Sequence, residues 1–294
     1  MFDTTQITFG LLIVSILVGY GNSHWGIPLI AVVNRWLRWV VFSLLIALLV
    51  TRMEWTARPF WSITAIAFLG WFLLESMYTW IVISALSRSP IPLFPKFRPN
   101  DKGDEWPAQK KFIAIRDWLR SNGFKKLESV KAEIEDPISI RSTIYQDVDN
   151  TIRLQVLFFP QRAGYVRAAY ILSSRTTTDE YVLTDNVHLP FGGFYPENWF
   201  IVRKPLMRSL EHLMRLHRRR LKGKALQHWS DEDPVSDINR QQAKLEQANL
   251  QLGFLIPHNQ QEEFGRLTKE GRYRIWKEVW LLNYFGMTVQ YESH

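Results

Sequence analysis

Glu75 lies inside the apolar run Phe60–Leu86, more than a helical turn from either end. An ionised carboxylate at that depth in lipid is costly, so it must be protonated, paired or turned to a polar cavity. Two chemistries fit: a proton or ion path, or a structural pair with a cation on a neighbouring helix. Arg35 and Arg38 stand near the start of the preceding apolar run, Ile27–Thr51. Antiparallel helices joined by a short loop bring Arg38 and Glu75 to similar depth. An Arg38–Glu75 pair is therefore expected, with Ser76, Thr79 and Ser84 as other partners for the carboxylate. Three helices make a poor transporter unless they oligomerise.

A second concentration of charge falls between Lys204 and Lys224. It holds Arg208, Arg215, Arg218, Arg219, Arg220, Lys222 and Lys224 against the single acid Glu211. Leu206, Leu210, Leu213 and Leu216 or His217 recur at helical spacing as an apolar face, so Pro205 is expected to open a basic helix. Such a helix meets anionic lipid headgroups, presents a solvated face, or contacts nucleic acid. His212 and His217 are five apart, which is not the spacing of a two-histidine metal face, and His228 does not repair it.

The chain has no cysteine, which removes disulfides, thiolate catalysis and cysteine-ligated metal sites. No phosphate-cradling glycine loop, HExxH, GxSxG or dinucleotide fingerprint occurs. Asp147 and Asp149 read as turn chemistry before a strand. No cofactor or metal is implied, and the reading leans away from an enzyme, with a membrane-bound hydrolase as a distant third possibility.

These residues depend on a chain of two unlike halves. Residues 1–87 carry only seven charged side chains (Asp3, Arg35, Arg38, Arg52, Glu54, Arg58, Glu75), and +7 of the net +8 lies beyond them. Three membrane spans are expected, at about 7–21, 27–51 and 60–86. The first lacks a basic leader and a small-residue cleavage site, so it is read as a retained helix rather than a signal peptide. Arg35, Arg38, Arg88, Lys96, Arg98 and Lys102 flank one side; Arg52 and Arg58 flank the other, beside Asp3 and Glu54. The richer side is expected to be cytoplasmic. That puts the N-terminus outside and the C-terminal domain inside a bacterial inner membrane.

Residues 88–107 form a proline-rich tether, in which Phe94 and Phe97 alternate with Lys96 and Arg98 as an interfacial stripe. Residues 108–225 read as an α+β domain. A helix over 108–121 precedes strands near 130–135, 139–146, 152–160, 165–173 and 180–184, which predict a 4–5-stranded antiparallel sheet flanked by helices. The turn 161–164 joins two of them. The irregular segment 186–204 packs Phe191, Phe194, Tyr195 and Trp199 around Gly192-Gly193. It is either a binding lip or a loop pinned by its own aromatics.

Residues 226–294 are expected to be mainly helical after the acidic hinge 230–234, with Asp237 capping a helix to about Leu252. The last helix, 273–285, is apolar on nearly every side. Tyr273, Trp276, Trp280 and Tyr284 line one face and Ile275, Val279 and Leu282 another, so it docks on the domain, the membrane or a partner. Leu252-Gly253-Phe254-Leu255, a polar hairpin, and Leu267–Arg272 entering a helix resemble the back half of winged-helix DNA-binding domains over about 35 residues. That resemblance implies a membrane-tethered nucleic-acid-binding regulator as the alternative function. The favoured expectation is a non-enzymatic scaffold or regulatory subunit. Its cytoplasmic domain would bind a protein partner or a second copy through those aromatics, with the basic helix resting on lipid.

Overall fold

The computed structural model describes residues 3–100, 102, 106–135, 138–160, 166–229 and 233–289. Three helices come first: α1 (Thr4–Trp25), α2 (Pro28–Arg52) and α3 (Phe60–Arg88). All three are long and apolar enough to cross a membrane, which suggests membrane association. Pro28 starts α2 where its missing N–H costs nothing, and Gly26 ends α1 at φ 60°. Between α1 and α2, Ser15 donates to Asn34 Oδ1 at 3.0 Å, a polar contact suited to an interface that water does not reach.

Beyond them stands a mixed sheet. Its elements are β1 (Arg98–Pro99), α4 (Lys110–Ser121), β2 (Lys125–Glu135), β3 (Ile138–Gln146), β4 (Arg153–Pro160), β5 (Val166–Thr176), β6 (Tyr181–Asp185), β7 (Trp199–Arg203), α5 (Leu210–Leu221) and β8 (Leu226–Gln227). Strands β1 to β7 lie side by side in chain order. All neighbours are antiparallel except β6 and β7, which are parallel. Strand β8 pairs with the end of β5.

Both faces of the sheet are covered. Leu154, Val156 and Phe158 alternate along β4 towards α4 and α5, meeting Phe112, Leu119, Leu213 and Met214. Leu157, Ala169 and Ile144 point the other way, towards Val235 and Ile238 of α6 (Pro234–Gln251). This two-sided burial suits the run Val156–Phe159 in the second half of β4, where alternation gives way to apolar residues on both faces. A third cluster joins Ile83 of α3 to Phe254, Leu255, Leu267 and Ile275. The chain finishes with a 3₁₀ turn (His258–Gln260), α7 (Gln261–Phe264), α8 (Lys269–Trp280) and a π-turn (Leu281–Phe285) that continues α8.

Several expectations are corrected. The sheet has eight strands and is mixed, not 4–5-stranded and antiparallel. Its extra parallel strand, β7, is the end of the segment 186–204 that sequence marks as irregular. Phe97 is not part of an interfacial stripe; it is buried in the second core. Asn239 fixes it there, donating to Phe97 O and accepting from Phe97 N. The basic helix begins at Leu210, where the Ser209 side chain caps it, so Pro205 and Arg208 precede it. Asp233, not Asp237, caps α6. The 161–164 turn and residues 230–232 of the hinge lie outside the described residues.

Candidate functional site

Glu75 is paired with Arg35, at 3.0 Å, not with Arg38. Helical phase is the reason. Arg38 lies against α1, where a β-carbon at Gly19 would stand 3.2 Å from Arg38 Nη2. Arg35 also lies over the Tyr284 ring, 5.5 Å from its centre. Around this pair Trp36 donates to Tyr284 O at 2.7 Å, and Trp39 donates to Phe68 O at 2.8 Å. Trp280 meets Phe72 and stacks on Tyr284, while Trp276 stacks on Trp80. The expected aromatic face of the last helix is thus spent largely inside the molecule, with Tyr273 still exposed.

The other side of α8 grips the sheet layer. Arg274 Nε donates to Gly192 O at 2.7 Å and its guanidinium lies 3.9 Å over Phe194. Phe191 packs against Phe94, Tyr195 and Phe254, and Tyr195 stacks on Trp199. The segment 186–204 is held by contacts among its own aromatics together with Phe94, Phe254 and Arg274 from elsewhere in the chain. Glu278, buried on α8, has a carboxyl held above its ordinary range by burial, an effect that nearby Arg203 opposes. Arg203 itself pairs with Asp185 at 2.8 Å. At the foot of α3, Arg266 donates to Leu86 O and Ile91 O, and Leu267 N donates to Ser87 Oγ. Arg266 N also donates to Ser87 O at 2.8 Å, so Leu86 O and Ser87 O, carbonyls that a helix C-terminus leaves open, are both satisfied. Together these contacts form a clasp between spans and sheet.

The same geometry removes the winged-helix resemblance. The expected hairpin is a single bridge, Leu255 to Leu267. The helix after it packs one face against α3, where Ile275 meets Ile83 and Trp276 stacks on Trp80.

The basic helix divides. Arg220 turns into the sheet, donating to Leu183 O, to Thr184 Oγ1 and to Phe200 O, so it is no surface cation. Lys224 pairs with Glu180 at 2.5 Å, and Arg215 reaches Glu211 at 3.8 Å. Arg218, Arg219 and Lys222 are exposed. Arg208, before the helix, donates to Trp25 O at the end of α1. His217 is fully buried between Ser174 Oγ (3.1 Å) and Thr184 Oγ1 (2.9 Å). Burial, then Arg220 and Arg218, pushes its pKa down to about 3.

Two polar sites escaped sequence reasoning. At the end of the sheet near β8, Asp237 receives Arg153 at 2.8 Å, Arg175 at 2.5 Å and Arg240 at 2.8 Å. Arg153 and Arg175 also lie over the Trp229 ring, at 4.2 and 4.4 Å. At the opposite end, a cavity of about 540 Å³ opens between the α1–α2 turn and the sheet. Lys111, Arg167, Arg208, His24 and His188 are among its lining residues. They come from α4, β5, the lead into α5, α1 and the loop after β6, so no local motif signals them. No family model, characterised protein or solved structure matches the chain.

Proposed function

We propose that the protein is a non-enzymatic scaffold or regulatory subunit of a cell inner membrane, with its N-terminus outside and its sheet domain in the cytoplasm, bound to a protein partner or a second copy. The clasp carries this reading. Because α8 touches α2 and α3 on one side and the segment 186–204 on the other, an event at the sheet is coupled mechanically to the spans.

Depth arguments agree. About 20 residues cross the hydrocarbon; counted from Arg52 and Phe60, they end near Val33 on α2 and Trp80 on α3. The Arg35–Glu75 pair then lies about half a turn (Arg35) to one and a half turns (Glu75) inside the boundary, ringed by Trp36, Trp276, Trp280 and Tyr284, as expected of an interfacial aromatic belt. The α1–α2 turn touches the sheet domain through Arg208, which puts the basic flanks and the domain on one side and supports the orientation. Lipid contact is better assigned to the residues near Trp25 than to Arg218, Arg219 and Lys222. Those lie towards the far end of α5, about 12–18 Å along its axis from Leu210 at 1.5 Å per residue.

Light scattering on the detergent-extracted full chain, purified from its own membranes, tests the reading. A stoichiometric companion or a defined homo-oligomer is expected. A protein that is monomeric and alone in every mild detergent refutes it, and one that stays in the supernatant without detergent refutes the membrane assignment beneath it.

A further inference from the structure

The cavity at the α1–α2 turn has an unusual charge balance. Lys111, Arg167 and Arg208 line it together with His24 and His188, and no Asp or Glu is among its lining residues. Lys111 Nζ donates to Val166 O at 3.1 Å and Arg208 Nη2 to Trp25 O at 3.0 Å. One such bond leaves most donors of an ammonium or guanidinium available. His188 Nδ1 is buried without a hydrogen-bond partner among the described residues. Burial and then the charge of Arg208 hold both Lys111 and Arg167 below their ordinary values. Arg208 thus repels Lys111 and Arg167 across a space with no acidic side chain among the described lining residues. The volume, about 540 Å³, is within the range that holds a small ligand.

Position narrows the ligand. The cavity wall includes Asn22 to Pro28, the turn that ends α1 and begins α2, with Ile27, Phe112, Ile115 and Met207 as apolar neighbours. If the spans cross the bilayer, this turn stands at headgroup depth, where phosphates are dense. We propose that the cavity binds a phosphate-bearing anion, of the kind an anionic lipid headgroup presents, with Arg167, Arg208 and Lys111 as its ligands. The depth rests on the membrane reading; the charge and shape do not. Guanidinium groups suit a phosphate because their paired N–H donors match its oxygens.

The test uses the full chain purified in a neutral detergent, with thermal unfolding followed as each ligand is titrated. The ligands are dioctanoyl phosphatidic acid, dioctanoyl phosphatidylcholine and inorganic phosphate. Phosphatidic acid is expected to raise the unfolding midpoint saturably, inorganic phosphate to do so more weakly, and phosphatidylcholine not at all. Equal stabilisation by inorganic phosphate also supports the site and assigns it a soluble phosphate compound.

Arg167→Gln and Arg208→Gln should each weaken binding about fivefold, and the double variant about thirtyfold, at about 1 kcal/mol per charge. Arg218→Gln with Arg219→Gln, outside the cavity, should leave it unchanged. No shift with either phosphate, or equal losses in the cavity and control variants, overturns the proposal. Should Arg208→Gln fail to fold because Trp25 O loses its donor, Arg167→Gln decides alone. Solubility without detergent would remove the membrane reading without touching this result.

Discussion

Replacing Asp237 by Asn tests the buried charge cluster at the end of the sheet near β8. The Asp237 side chain is 3% exposed and that of Arg153 is 7% exposed. Removing the carboxylate takes from the Arg153 guanidinium, buried beside Trp229, the anion it meets at 2.8 Å. Burial already pulls the Arg153 pKa below its ordinary value with Asp237 in place, so the site has little tolerance for losing its anion. Breaking a buried pair from one side costs about 3–5 kcal/mol. Arg240 is 44% exposed and adds at most about 1 kcal/mol; Arg175, 21% exposed, lies between the two.

The expected loss is therefore roughly 3–5 kcal/mol, a fall in unfolding temperature on the order of 10 °C for a domain of this size. Circular dichroism melts of the detergent-solubilised chain read it. A double variant, Asp237→Leu with Arg153→Met, removes both charges and should recover more than half of the loss, since a buried pair replaced by apolar groups is often near neutral. A cost below about 1 kcal/mol for Asp237→Asn, or strict additivity in the double variant, would refute the picture of an obligate countercharge.

Three further outcomes follow from the geometry. Gly192 has φ 67°, and a β-carbon there would stand 2.7 Å from Ile275 N and 2.9 Å from Ile275 Cα; Gly192→Ala should cost at least about 2 kcal/mol and speed limited proteolysis across 186–204 as the clasp loosens. His217 folds as the neutral ring, with its pKa lowered to about 3, so the unfolded chain takes up a proton first. Its contribution is complete above the unfolded value near 6.5 and is lost as pH falls towards 3, by about 1.4 kcal/mol per pH unit. His188, lowered to about 4 by burial and then by Arg167 and Arg35, acts in the same direction. His217→Gln should flatten the fall of stability between pH 6.5 and 4.5, and an unchanged slope would clear His217 of any role. Finally, because the chain contains no cysteine, Thr56→Cys and Ser23→Cys can be labelled singly. A membrane-impermeant maleimide applied to intact cells should modify the first and spare the second, and the reverse pattern would invert the orientation.

The apolar spans were legible because their signal is local: long hydrophobic runs end at Arg52, Pro59 and Arg88, and each helix agrees with its run to within a few residues. Strands β2 to β6 were legible from alternation and turn residues. Asp147 shows why the turn reading worked, since its carboxylate accepts from Thr151 N, Thr151 Oγ1 and Ile152 N. Strand β7 was not legible, because Trp199–Arg203 follows an aromatic, glycine-rich segment and gains its identity only from a parallel partner earlier in the chain. Asp237 reads locally as a helix cap, and only the arrival of Arg153 and Arg175 from distant strands makes it the centre of a cluster. The cationic cavity is invisible for the same reason: each contributor is an ordinary basic residue until the fold gathers them.

A short helix apolar on nearly every side has few stable resting places in a chain of this kind. It is too charged, with Arg274, Lys277 and Glu278, to cross lipid alone, and too apolar to lie on an open surface. Wedging α8 between α3 and the segment 186–204 satisfies both halves of that composition. Its tryptophans stack on the spans, while Arg274 and Glu278 face the sheet layer and its Arg203. The consequence concerns motion. The proline-rich stretch after Arg88 is one connection between the apolar helices and the sheet, a semi-rigid one that Phe97 anchors in the second core. Arg266 on the α3 carbonyls and Arg274 on Gly192 close a second connection in parallel with it, so displacement of the sheet requires breaking contacts that α2 and α3 also hold.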